Sequence, residues 1–165
     1  MKIFIISDTH FHHKNIIEYS NRPFKSVEEM DKEMIKRWNN KVGKEDIVIH
    51  LGDFALGSEK EIKELKESLN GTIFLLKGNH DHKIIRTAGF IIIKGCLEIG
   101  NLIFSHNPLR KEDIPKGFIN IHGHIHEKES FAGINISVEK NNYEPVELEE
   151  LKKSLNMQDG FSNKS

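Results

Sequence analysis

The chain carries a single cysteine, Cys96, almost no net charge, and no apolar run long enough to span a membrane. One cysteine forms no intrachain disulfide, which fits a reducing compartment and makes the cytoplasm the expected address. Twenty-four basic residues against 25 acidic leave a formal net charge of −1, so no broad field favours DNA, RNA or acidic lipid. The apolar opening KIFIIS runs straight into Asp8 and is too short for a signal-peptide core or a membrane span. Linkers, internal repeats and low-complexity tracts are also missing. At 165 residues the chain is long enough for one domain with a buried core. Residues 1–155 are expected to form that domain. The last ten, NMQDGFSNKS, carry no apolar period and are expected to fray as a flexible tail over 156–165.

What the chain does have is five short apolar runs that each end on a residue able to bind a metal. They read KIFIIS-Asp8-Thr-His10, DIVIHLG-Asp53, TIFLLKG-Asn79-His80-Asp81, NLIFS-His106 and FINIHG-His124-Ile-His126. Runs of this length, rich in Ile, Phe, Val and Leu, are buried strands. In an open α/β sheet the ligand crevice lies beyond the carboxyl ends of the strands, so the polar endings converge on one rim. Taken singly each signal is weak. Asp after a strand is commonly a turn or cap residue, G-N-H-D can be a turn on a left-handed Asn, and G-H-x-H occurs on ordinary surfaces. Five of them in one order, all at strand ends, are hard to explain independently.

Carboxylate, imidazole and amide oxygen together suit divalent Mn, Fe, Co, Ni or Zn, and no thiolate competes for a softer ion. In an extended segment residues i and i+2 share a side, so Asp8 with His10, and His124 with His126, each aim a pair of ligands at one place. Seven candidates, Asp8, His10, Asp53, Asn79, His106, His124 and His126, are too many for one catalytic zinc and fit two ions sharing a bridging carboxylate.

Strands are expected at 2–6, 46–51, 72–77, 90–94, 96–99, 102–105, 118–122 and 133–138, with a tight antiparallel hairpin at Gly100-Asn101. Capping boxes at Ser26/Glu29 and Ser58/Glu61 open helices running to about Lys41 and Leu69. Their apolar stripes, Val27, Met30, Met34 or Ile35 and Trp38 in the first, Ile62, Leu65 and Leu69 in the second, are core faces. A short helix near 83–88 and another from about 147 to 155 complete a mixed α/β layered structure.

The order D-x-H, G-D, G-N-H-D, a lone H and G-H-x-H, from Asp8 to His126, resembles the calcineurin-like metallophosphoesterase superfamily. The opening SDTHFHHKNI with NRPF is similar to a group of small bacterial and phage phosphoesterases within it. The resemblance implies a layered sandwich of two mixed β-sheets flanked by helices. It also implies one ion on Asp8, His10, Asp53 and His126, and a second on Asp53, Asn79, His106 and His124. Manganese is the first expectation for both, with Fe, Ni, Co, Zn or Mg as alternatives. Two divalent ions exceed the charge of Asp8 and Asp53, and a net positive site selects a phosphate ester. The implied activity is hydrolysis by a metal-bridging hydroxide, with phosphodiesters favoured over monoesters and a catalytically weak binding scaffold as the other alternative.

His80 is not needed as a ligand, because Asn79 fills that place in the family pattern. It is expected to act as general acid or positive stabiliser at the leaving group, with Asp81 orienting it. His13 is expected to contact substrate, and Arg22, in NRPF, to fork onto phosphate oxygens. Gly52-Asp53-Phe54-Ala55-Leu56-Gly57 departs from the G-D-x-x-D-R-G of the protein-phosphatase branch, which disfavours a phosphoprotein substrate. No insertion between the motifs is long enough to fold alone, so the cleft is expected to be open.

Overall fold

Alternation along the strands assigns every apolar residue to one of two cores. In the first strand, β1 (Ile3–Ile6), Phe4 and Ile6 point to one side and Ile3 and Ile5 to the other. β2 (Ile47–His50) repeats the pattern, with Val48 on the first side and Ile47 and Ile49 on the second. β3 (Thr72–Leu76) places Ile73 and Leu75 on the first side and Leu76 on the second. Both faces are therefore apolar, and each needs a covering layer.

The first face is covered by helices. α2 (Val27–Lys41) follows the short α1 (Ile16–Tyr19) and begins at Ser26, whose hydroxyl accepts from Glu29 N at 3.2 Å. Met30, Met34 and Trp38 recur on its buried side. α3 (Glu59–Ser68) opens on a reciprocal capping box between Ser58 and Glu61 and buries Ile62 and Leu65. At Ser26 only half the expected box forms, because the Glu29 carboxylate accepts from Lys25 N at 2.7 Å instead.

The second face is covered by a second sheet. The first sheet has strand order β4-β3-β2-β1-β9, with β4 at Ile91–Ile93 and β9 at Val146–Glu147. β1 to β4 run parallel, and β9 pairs antiparallel with β1. The second sheet has order β5-β6-β7-β8, formed by Leu97–Ile99, Leu102–Ser105, Ile119–His122 and Ile134–Asn135. β5 and β6 make the expected hairpin, with Gly100 at φ 63°, and β6 to β8 are parallel. Phe104, Ile121 and Ile136 meet Ile5, Ile49 and Leu76 between the sheets, and Leu148, Leu151 and Leu155 of α4 (Leu148–Ser162) join them.

The computed structural model describes residues 1–81 and 88–162, with side chains as far as 155. The helix expected near 83–88 falls, but for residue 88, outside the described residues. All eight expected strands are present, mostly a residue or two shorter; α4 continues beyond its expected end near 155. α1, β9 and two 3-10 turns, Lys111–Asp113 and Val138–Lys140, are additions. Among the described residues no helix is long and apolar enough to cross a membrane.

Candidate functional site

Parallel strands in both sheets end on the same rim, and each hands over its polar residues there. β1 leads to Asp8 and His10, β2 to Asp53, β3 to Asn79 through Asp81, β6 to His106, and β7 to His124 and His126. The sheets touch at this rim: Ser7 and Ser137 form an isolated parallel bridge, and Val138 N donates to Ser7 O at 3.1 Å.

The seven ligand candidates gather in two groups. Asp8, His10 and His126 each offer one atom, all within 4.8 Å of one another, and so do Asp53, His106 and His124. Asn79 joins the second group, its Oδ1 being 2.9 Å from His106 Nε2. Asp53 faces both, since its Oδ2 lies 3.5 Å from His10 Nε2 and 3.5 Å from His106 Nε2.

Two ligand atoms of the first group make no hydrogen bond among the described residues. Asp8 Oδ1 and His10 Nε2 are buried without a hydrogen bond, a costly state for a carboxylate oxygen and a ring nitrogen. Burial pushes the Asp8 carboxyl above its usual range despite the pull of His106 and His126. It drives His10 far below the imidazole range, reinforced by Arg22 and His126. His124 is lowered by burial and then by His106. The two rings are thus held neutral, the form that ligates metal. In the second group His106 Nδ1 donates to Leu51 O at 2.9 Å, leaving the Nε2 lone pair facing Asn79 Oδ1 and Asp53 Oδ2. Three acceptors turned on one another call for a cation between them. The donor set fits a divalent ion in each group.

The backbone is shaped to the same end. Asp8 (φ 59°), His10 (48°), Asp53 (56°), His124 (71°) and His126 (51°) all adopt the left-handed conformation, uncommon outside glycine and a frequent mark of functional sites. Gly123 admits the close approach of the first group, since a Cβ there would overlap Ser7 Oγ and Asp8 Oδ2.

Residues 1–161 match the family model of the calcineurin-like phosphoesterases. The chain belongs to that family. It is 41% identical over 164 residues to the uncharacterized protein MJ1445 of Methanocaldococcus jannaschii, covering 90% of this chain and 88% of that one. Among solved structures, the Aquifex aeolicus protein of unknown function AQ665 matches with a TM-score of 0.72 and 26% identity, over 92% of this chain and 98% of that one. Pseudomonas putida nuclease MPE matches at TM-score 0.53 and 16% identity, over 75% and 61%, a likeness of fold alone. This calcineurin-like chain therefore combines the family's fold with two candidate metal clusters.

Beside the clusters lies a cleft of about 300 Å³. Its lining combines His10, His13, His80, His124 and His126 with the apolar Ile16, Tyr19 and Ile125, and with Ser20, Glu127 and Lys128. His80 is exposed, with its ring centroid 5.4 Å from that of His10 and its backbone N donating to Asp53 Oδ1 at 2.8 Å. His13 completes a triangle of rings with His10 and His80, at centroid distances of 5.4 and 6.4 Å.

Two residues expected at the reacting face lie elsewhere. Arg22 is buried behind the first loop, donating to Thr9 O, Asp8 O and Glu139, so its guanidinium does not reach the cleft. Asp81 is 1% exposed, and its carboxylate accepts from Asp53 N, Gly78 N and Phe54 N at 2.8–2.9 Å. It therefore clasps the G-D loop to the G-N-H-D loop and makes no hydrogen bond to the His80 ring.

Two residues at the site carried no expectation. Ser137 Oγ donates to Asp8 Oδ2 at 2.9 Å, beside His124 N at 2.8 Å, which leaves only Oδ1 of that carboxylate free. Glu139 Oε1 accepts from His126 Nδ1 at 3.0 Å; against the effect of burial, this bond and the Asp8 charge raise the His126 pKa. A signal existed for Glu139. The run GINISV ends on it just as the other five runs end on their ligands.

Proposed function

We propose that this chain is a binuclear metal-dependent phosphoesterase that prefers phosphodiesters. The observation that carries the reading is Asp53 Oδ2, set 3.5 Å from Nε2 of His10 and of His106 and so able to serve both clusters. Asp8, His10, Asp53 and His126 would hold one divalent ion, and Asp53, Asn79, His106 and His124 the other, with manganese the first candidate. Such a pair, when bound, supplies Lewis acidity at the phosphoryl oxygens and water acidic enough to attack at neutral pH.

The chain's own groups do the rest. Asp81 keeps the two ligand loops in register by gathering their backbone N–H groups. His80, exposed at the cleft beside His10, protonates the leaving oxygen. His13, in the same lining, contacts an unesterified oxygen.

Two features favour a diester. The described lining has Lys128 but no arginine, whereas the additional charge of a monoester is commonly met by forked guanidinium groups. The apolar Ile16, Tyr19 and Ile125 in the lining give a second substituent somewhere to lie, and Tyr19 is 69% exposed. The test compares kcat/KM for bis-p-nitrophenyl phosphate and p-nitrophenyl phosphate in Mn buffer. A higher value for the diester is expected. A monoester preference overturns the diester assignment, and no hydrolysis of either ester with Mn, Co, Ni, Zn or Mg overturns the enzyme assignment.

A further inference from the structure

Behind the Asp8–His10 loop, Arg22 and Glu139 form an ion pair cut off from solvent. Their side chains are 0% and 3% exposed, and Glu139 Oε1 accepts from Arg22 Nη2 at 2.7 Å and from Nε at 3.0 Å. The other guanidinium bonds run from Nη1 to Thr9 O at 2.8 Å and Met30 Sδ at 3.4 Å, and from Nη2 to Asp8 O at 2.7 Å. The same Glu139 oxygen accepts from His126 Nδ1. One oxygen atom thus ties together the loop of Asp8, the loop of His126 and the 3-10 turn Val138–Lys140.

Stability alone does not account for this arrangement. Removing two charges from water offsets most of their attraction, and Glu139 Oε2 is buried with no partner at all. Its geometric effect is definite. With Nδ1–H committed to a carboxylate, Nε2 is the nitrogen left to His126 for the cluster it forms with Asp8 and His10, and the carboxylate makes the imidazole a stronger donor. Arg22 fixes the carboxylate and also holds the backbone around Asp8 in its left-handed turn.

Among the described residues no carboxylate stands behind a histidine of the second cluster in this way. Its His106 is oriented by the neutral carbonyl of Leu51. The two clusters share Asp53 and differ in what stands behind their histidines.

We propose that Glu139, anchored by Arg22, is a positioning residue for the Asp8–His10–His126 cluster, and that it makes this the tighter of the two metal sites, loaded before the other. The proposal rests on the binuclear reading above and is independent of any activity. It also gives Arg22 a part: the guanidinium builds the metal site from behind.

The test titrates metal-free protein with Mn²⁺, following heat and the electron paramagnetic resonance signal of a spin-coupled pair. The parent is expected to bind in two steps of unequal affinity. Glu139→Gln keeps the shape and removes the charge; it should weaken the first step by about 10- to 100-fold, leave the second nearly unchanged, and delay the coupled signal to higher Mn²⁺. Because Glu139→Gln strands a buried guanidinium, Arg22→Gln/Glu139→Gln is measured beside it, with the circular dichroism of both checked without metal. The same selective loss is expected in the double variant. Equal weakening of both steps marks the pair as a general brace and overturns the proposal, as does unchanged affinity in a folded variant. A parent that binds fewer than two ions overturns the binuclear reading and this inference with it, a failure visible before any variant is made.

Discussion

The carbonyl of Leu51 accepts the Nδ1 proton of His106 at 2.9 Å across 55 residues of sequence, joining the end of β2 in one sheet to the end of β6 in the other. This single bond fixes which nitrogen of His106 faces Asn79 and Asp53. It also means that the second cluster is assembled by the packing of the two sheets.

Substituting the shared carboxylate should therefore disturb both clusters. Asp53→Asn is expected to lower metal content from about two ions per chain to below about one, whereas His124→Ala should leave about one. Elemental analysis after metal reconstitution and desalting reads the difference. Unchanged content in Asp53→Asn would remove Asp53 as the bridge.

His80→Ala should keep both ions, because the ring is not among the clustered ligand atoms. The rate is expected to fall by about 10²- to 10⁴-fold for an alkyl leaving group and much less for p-nitrophenolate, which needs little protonation. Equal losses for both leaving groups would assign His80 a role other than proton donation.

Gly123→Ala places a methyl where Ser7 Oγ and Asp8 Oδ2 already lie. Overpacking of this kind costs about 1–3 kcal/mol, and here one of the groups that must move, the Asp8 carboxylate, belongs to the first cluster. The expected result is a lower urea midpoint together with weaker binding of one ion. A midpoint and metal content equal to the parent's would show that the β7 loop can yield.

His50 should remain neutral in the folded protein well below its ordinary titration range. Gly52 N donates to its Nδ1 at 3.1 Å, and its Nε2 lies 2.9 Å from Thr9 Oγ, which donates onward to Phe54 O at 2.7 Å. Burial, with a smaller push from His106, lowers its pKa from 6.5 to about 3. Above 6.5 the ring is neutral in both folded and unfolded chains. As pH falls from 6.5 toward 3, only the unfolded chain takes the proton, and this group removes about 1.4 kcal/mol of stability per pH unit. Imidazole ¹⁵N resonances at about pH 5 should still report the Nε2–H tautomer at His50. A titration midpoint near 6.5 would contradict the buried chain of hydrogen bonds.

Much of the framework was legible because it follows from periodicity. β1 to β8 appear as apolar runs, α2 and α3 as stripes behind Ser26 and Ser58, and the clustered ligands as polar endings of strands. β9 escaped because two residues, Val146 and Glu147, carry no period; only their pairing with Ile5 and Phe4 makes them a strand. The misplacement of Arg22 has a similar cause. A guanidinium suits a phosphate and a ring of backbone carbonyls equally well, and the choice depended on Glu139, 117 residues away. Asp81 posed the same difficulty, since its partners are backbone N–H groups that the sequence does not distinguish.

The left-handed backbone at Asp8, His10, Asp53, His124 and His126 narrows the choice of inactive variants for anyone who needs the protein intact. Asparagine, aspartate and histidine enter that region more readily than other residues with a side chain, and β-branched residues are genuine outliers there. The amino acids that ligate metals are thus also those this rim can accommodate. Asparagine at Asp8 or Asp53 separates loss of coordination from loss of backbone shape. Valine or threonine at the same positions would confound the two.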